Sequence, residues 1–263
     1  VMPAALPNFS THPGNGPPML LVHGFLSSAA QWQLNLDALA SVCTPVVMEL
    51  YGHGRSSSPD DGDAYTPSAY VDAMEQIRKS LGVEAWYLCG YSLGGALTIR
   101  YALTHPERLL GHVFTNSNSA FARQETVRAW TENAERAAAS IRKGGLAAIE
   151  AIGVHPKNGT RLPTRIYEAL LADAKLLNPQ GIAHTLANTM PTASVREDIH
   201  QNAVPALLAY GRFEKGFVDH RRFAETRMPK LRVRAVDSGH AVNMESAEKF
   251  NAAVIEFVRD TDR

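Results

Sequence analysis

A chain of 263 residues with 45% hydrophobic side chains can bury a sizeable core within one α/β domain carrying an inserted subdomain. Its 26 basic and 26 acidic residues cancel, which argues against nucleic acid or an anionic membrane surface as the main partner. No apolar run approaches the roughly 20 residues of a membrane span, and Cys43 and Cys89 both sit in apolar, strand-like surroundings, as expected for buried reduced thiols of a cytoplasmic protein.

Val1 to Pro18 is rich in proline, glycine and asparagine and is expected to be loop. It lacks the basic region and apolar core of a signal peptide. Met19-Leu20-Leu21-Val22 is a buried strand ending at His23-Gly24-Phe25. Gln31 to Ser41 has the spacing of an amphipathic helix, and Pro45 to Leu50 is a second strand leading into Tyr51-Gly52-His53-Gly54-Arg55-Ser56. Pro67 marks a helix start, with an apolar face from Tyr70 to Leu81. Ala85 to Cys89 is a strand, Ala96 to Leu103 a helix, and Leu109 to Thr115 a strand ending at Asn116-Ser117-Asn118.

From about Ser119 to Gln201 the strands vanish. Thr126 to Lys143, Leu146 to Ile152 and Arg165 to Leu177 have helical spacing. A helical block of about 80 residues between two strands is far longer than an ordinary connection. It is therefore expected to be a cap, residues 119–201, on a core of residues 1–118 and 202–263. The alternation then resumes with strand Ala206 to Tyr210, helix Phe217 to Arg227, strand Leu231 to Val236 and helix Glu245 to Arg259. Strands alternating with helices predict an α/β fold, a mostly parallel sheet covered on both faces, with ligands beyond the carboxyl ends of the strands.

Between the strand 85–89 and the helix 96–103 lies Gly90-Tyr91-Ser92-Leu93-Gly94-Gly95. In that context G-x-S-x-G is a nucleophile elbow, a turn so sharp that the residues two before and two after the serine must lack side chains. A serine hydroxyl needs a base beside it at neutral pH. His240, in Asp237-Ser238-Gly239-His240 just past the final strand, can swing an imidazole over the elbow. Glu214, in Gly211-Arg212-Phe213-Glu214 after the penultimate strand, is the candidate acid that would fix the imidazole tautomer. Asp219 and Glu225 fall on the following helix, and an acid supplied after the Asn116 strand is the competing arrangement. A tetrahedral intermediate needs two oxyanion donors, for which the amides of Leu93 and Phe25 are the candidates. His23 is expected to shape its loop and His53 to brace a turn. Trp32, Phe121 and Trp130 are aromatic candidates for lining the site. The ten histidines show no ligand spacing, and there is no phosphate loop or dinucleotide fingerprint, so neither metal nor cofactor is expected.

These motifs, with His105-Pro106-Glu107-Arg108, resemble the α/β-hydrolase superfamily from about Met19 to Val258. The resemblance implies Ser92 as nucleophile, His240 as base, Glu214 as acid, and Phe25 and Leu93 as oxyanion donors. His240-Ala241-Val242-Asn243-Met244-Glu245 is similar to the tail of enol-lactonases and related esterases. The elbow resembles that of menaquinone-pathway synthases, although Ala96 stands where those usually carry arginine. Glu214 replaces the family's usual aspartate, and the N-terminal segment is short and proline-broken for a full opening strand pair. The expected activity is hydrolysis of a small or medium carboxylic ester or lactone through an acyl-enzyme, by a monomer or homodimer. The alternatives are carbon–carbon cleavage or elimination by the same triad, or a ligand-binding receptor on a hydrolase scaffold.

Overall fold

The computed structural model describes residues 5–261. The loop reading of Val1 to Ala4 lies outside the described residues. Among the described residues seven strands form one sheet in the order β1-β3-β2-β4-β5-β6-β7. They are β1 (Phe9–Thr11), β2 (Pro18–Val22), β3 (Thr44–Met48), β4 (Trp86–Gly90), β5 (Leu109–Phe114), β6 (Ala206–Gly211) and β7 (Leu231–Val236). All neighbours are parallel except β1, which runs antiparallel to β3 with Phe9 opposite Met48. β1 departs from the loop expected for the N-terminal segment. It is a three-residue edge strand with two exposed residues, Ser10 and Thr11, so its sequence carries no apolar run to announce it.

Alternate residues of each central strand feed opposite cores. Leu20, Val22, Val46, Met48, Trp86 and Leu88 pack on one face, beneath α2 (Pro67–Ser80), α3 (Leu93–Thr104) and α7 (Val218–Arg227). Met19, Leu21, Val47, Tyr87 and Cys89 pack on the other, with Leu39 of α1 (Leu36–Leu39) and Phe250, Val254 and Phe257 of α9 (Ala247–Thr261). Burial on both faces explains why β2 and β4 are continuous apolar runs rather than alternating ones. Cys43 and Cys89 are both buried free thiols. Among the described residues no helix is long and apolar enough to cross a membrane.

One predicted helix is broken. Gln31 to Ser41 is a 3-10 turn (Ala29–Trp32), an irregular turn and then α1. Asn35, at the break, is fully buried, and its amide donates to Asn243 O at 3.0 Å and Asn251 Oδ1 at 2.8 Å. Those tertiary bonds outweigh the weak helical preference of so short a segment. The closing helix expected from Glu245 to Arg259 is α9, which starts two residues later and runs to Thr261, and a separate short helix, α8 (Val242–Glu245), precedes it.

Between β5 and β6 the described residues form α4 (Gln124–Glu150), α5 (Thr164–Ala174), α6 (Pro179–His184) and a π turn (Thr185–Thr189), and no strand. Gly145, at φ 59° and ψ −144°, breaks α4 where the Gly144-Gly145 pair separates the two predicted helices. The block has its own apolar core of Ala138, Ile141, Ile149, Leu177 and Ile182, into which Leu26 from the β2 loop inserts. Asn178 N–H donates to Gly52 O at 2.9 Å, and Thr189 Oγ1 to Tyr65 O at 2.6 Å, fixing the block over the carboxyl end of the sheet.

Candidate active site

β2 lies between β3 and β4, so the chain reverses its direction of winding beside β2 and opens a crevice at the carboxyl ends of β2 and β4. Ser92 sits there between β4 and α3 with φ 52° and ψ −116°, a left-handed conformation that serine adopts only under constraint. The constraint is visible in its neighbours. A Cβ on Gly90 would overlap Thr98 Oγ1, and one on Gly94 would overlap the carbonyl of Val22. The Ser92 carbonyl accepts from Gly95 N at 2.9 Å and from Ser117 Oγ at 2.6 Å. The turn therefore leaves the Ser92 hydroxyl standing above the sheet.

His240 Nε2 lies 2.9 Å from Ser92 Oγ, and His240 Nδ1 lies 2.9 Å from Glu214 Oε2. An ionised carboxylate only accepts, so Nδ1 carries the proton and Nε2 is left to accept from the serine hydroxyl. Glu214 is four-fifths buried, which by itself raises its carboxyl. The hydrogen bond and charge of His240, with Asn116 and Asn118, outweigh burial and hold it below its ordinary range. Asn116 Nδ2 reaches Oε2 at 2.6 Å, and Asn118 Nδ2 reaches Oε1 at 3.0 Å. The imidazole is steadied edge-on by Tyr91, whose ring centroid is 5.4 Å away. Its loop is held by Glu245 Oε2, which accepts from Gly239 N at 2.9 Å.

Facing the elbow is the loop after β2. Leu26 has φ 61°, a second strained residue, and its N–H donates to His53 Nε2 at 3.1 Å. His23 Nδ1–H donates to Gly24 O at 2.7 Å while Nε2 accepts from Leu50 N at 3.0 Å. Both imidazoles are fully buried and neutral. Desolvation pushes His23 down to about 4 and, with the nearby His23, pushes His53 down to about 3. Their bonds to backbone groups shape this loop. Gly24 lets it approach, since a Cβ there would come within 2.8 Å of the Tyr91 ring. Among the described residues the N–H of Phe25 donates to no protein acceptor. The N–H of Leu93, at the first position of α3, has no intrahelical acceptor either. Both residues border the same cavity as Ser92.

That cavity measures about 550 Å³ and is mostly apolar in its lining. Trp130 lines it, as do Leu26, Val154, Leu170 and Met190; Arg161 and Glu245 add one charge of each sign. Two aromatic candidates are corrected. Trp32 is fully buried against Phe250 under the opposite face of the sheet, and Phe121 is fully buried against Phe114 and Phe217; neither borders the cavity. The segment 153–162 contributes much of the lining and has no signal in the sequence, because its two glycines and one proline carry no periodicity. Asn116 and Asn118 likewise show nothing in sequence beyond a turn.

Arg55, from the Gly52-His53-Gly54-Arg55 turn, forks onto Asp173 of α5, with Nη2–Oδ1 at 2.5 Å and Nη1–Oδ2 at 2.9 Å. Ser28 Oγ donates to the same carboxylate at 2.6 Å, and Glu49 Oε1 takes Ala29 N–H at 3.1 Å. The helical block is thereby tied to the loop that carries Phe25.

Comparison with known proteins finds the model of the alpha/beta hydrolase fold family matching residues 17–247. A putative 2-succinyl-6-hydroxy-2,4-cyclohexadiene-1-carboxylate synthase of Bacillus subtilis (strain 168) is 25% identical over 246 residues, 91% of this chain and 89% of that protein. Carboxylesterase YbfK of the same organism is 24% identical over 249 residues, 94% of this chain and 81% of its own length. The enol-lactonase of Burkholderia xenovorans LB400 superposes with a TM-score of 0.79 over 96% of both chains at 20% identity.

Proposed function

Because the chain belongs to the alpha/beta hydrolase fold family, we propose that it is a serine hydrolase of a small or medium carboxylic ester or lactone. The observation that carries this reading is the unbroken relay Ser92–His240–Glu214, with both links at 2.9 Å, opening into an apolar cavity. Ser92 attacks the carbonyl carbon as His240 Nε2 takes its proton. The oxyanion is met by the unengaged N–H groups of Phe25 and Leu93. The imidazolium, stabilised by Glu214, then protonates the leaving alcohol. Water, activated by the same imidazole, releases the acid from Ser92. Residues 119–201 serve as the cap that roofs the pocket, and their apolar lining favours an acyl or aryl group. The similarity to a carboxylesterase along most of both chains supports the ester assignment.

Rapid labelling of Ser92 by a fluorophosphonate, and loss of ester or lactone turnover in a folded Ser92→Ala variant, are the expected results. Wild-type turnover in that variant removes the mechanism. Absence of labelling in folded protein favours a receptor. A second reading, elimination or carbon–carbon cleavage with the relay acting as a base, is favoured by the similarity to the putative synthase. Product analysis on a vinylogous diketone against a simple aryl ester separates the two.

A further inference from the structure

The end of β5 touches both outer members of the relay. Asn116 and Asn118 between them engage both oxygens of Glu214, and Ser117, between them, donates to the Ser92 carbonyl. Asn116 is fully buried and cannot turn over. Its Oδ1 accepts from Gly211 N at 3.0 Å while its Nδ2 donates to Gly211 O at 3.1 Å. The last backbone pair between β5 and β6 is Phe114 with Leu208, so this amide continues the ladder with a side chain and hands its second donor contact to Glu214.

A glutamate has one more rotatable bond than an aspartate, so its carboxylate is harder to hold at a fixed angle to an imidazole. A single bond to His240 leaves rotation about the last bond free. Donors on both oxygens remove it. The other titratable groups facing Glu214 are Tyr91 of the elbow and His220 on α7, and neither bonds to its oxygens.

We propose that Asn116-Ser117-Asn118 is a positioning unit that allows glutamate to serve as the acid: its two amides orient the carboxylate, and its hydroxyl anchors the strained serine. The proposal rests on the triad reading above. None of the three residues meets the reacting atoms through these bonds; each acts through Glu214 or through the Ser92 backbone.

The test reads the second-order rate of Ser92 phosphonylation by a fluorophosphonate against pH, so no substrate need be known. Asn118 is half-buried and its truncation leaves the core intact. Asn118→Ala is expected to slow labelling about tenfold, the scale of one hydrogen bond to a charged group, and to move the acidic limb of the profile to higher pH. In a Glu214→Gln background the same truncation is expected to cost less than in the wild type, since only a neutral amide bond to Asn118 then remains in place of a charge-assisted one. Asn116→Ser is expected to act in the same direction if it folds. The proposal is overturned if Asn118→Ala labels at the wild-type rate with an unmoved limb, or loses an equal factor in both backgrounds. Failure of wild-type protein to label at all instead defeats the triad reading, and this proposal with it.

Discussion

Replacement of Glu214 by glutamine isolates the charge of the relay from its geometry. The oxygen and nitrogen of the introduced amide must meet the donors that now meet two oxygens. Oε2 receives His240 Nδ1 at 2.9 Å and Asn116 Nδ2 at 2.6 Å; Oε1 receives only Asn118 Nδ2 at 3.0 Å. Asn116 is locked by Gly211. Asn118 is free to flip, because among the described residues its Oδ1 has no partner. The introduced side chain therefore keeps its oxygen on His240 and turns its NH2 toward Asn118, which rotates to accept. The imidazole tautomer survives and only the carboxylate charge is lost. At about 4 Å between charge centres and an effective dielectric of about 20, that charge is worth about 4 kcal/mol. Solvent at His240, which is about one-third exposed, trims it further. We expect turnover to fall about 10²- to 10³-fold, less than the roughly 10⁴-fold that follows when an amide enforces the wrong tautomer. Steady-state kcat on an activated aryl ester, with thermal melting to certify the fold, measures it. An unchanged kcat refutes Glu214 as the acid, and a loss of 10⁴ or more refutes the flip of Asn118.

Three further outcomes follow from the geometry. Burial lowers His23 and His112 to about 4 and His53 to about 3, against an ordinary 6.5. The unfolded chain then binds more protons than the native one between these values, so stability falls as pH drops below 6.5, by up to about 1.4 kcal/mol per pH unit for each histidine; a melting temperature that stays level from pH 7 to 5 contradicts this. Gly94→Ala forces a Cβ into the Val22 carbonyl and is expected to destabilise the elbow by several kcal/mol, whereas Gly153→Ala meets nothing within 4 Å and should be neutral or mildly stabilising in chemical denaturation. Asp173→Asn breaks the fork with Arg55 that ties α5 to the β2 loop, so amide exchange should accelerate in residues 25–30 and 164–174 together; acceleration confined to α5 argues against a mechanical link.

The central strands are legible because each is a largely apolar run, and burial on both faces removes the polar interruptions that would blur it. The same rule hides β1, whose stability comes from backbone pairing with β3 rather than from its side chains. The 31–41 helix fails for the opposite reason. Its spacing is helical, but Asn35 makes better bonds with Asn243 and Asn251, more than 200 positions away, and no local pattern reports such partners.

At the site, what sequence reveals is position along the sheet. A serine after β4, a glutamate after β6 and a histidine after β7 converge because parallel strands deliver their carboxyl ends to one edge. What it withholds is direction across the sheet. Trp32 and Phe121 belong to residue types that line pockets, yet each points into a core, because the register of the 3-10 turn and of the β5 loop decides the side and neither is periodic. Asn116 and Asn118 illustrate the same limit in polar form. Asn-Ser-Asn is ordinary turn chemistry until β6 brings Gly211 and Glu214 beside it; then one asparagine becomes a rung of the sheet and both become donors to the Glu214 carboxylate. The orientation of the Glu214 carboxylate is thus intelligible only together with asparagines 98 and 96 positions earlier in the chain. Glu214 and its two donors form one unit of structure, and altering any of the three should be read through its effect on the other two.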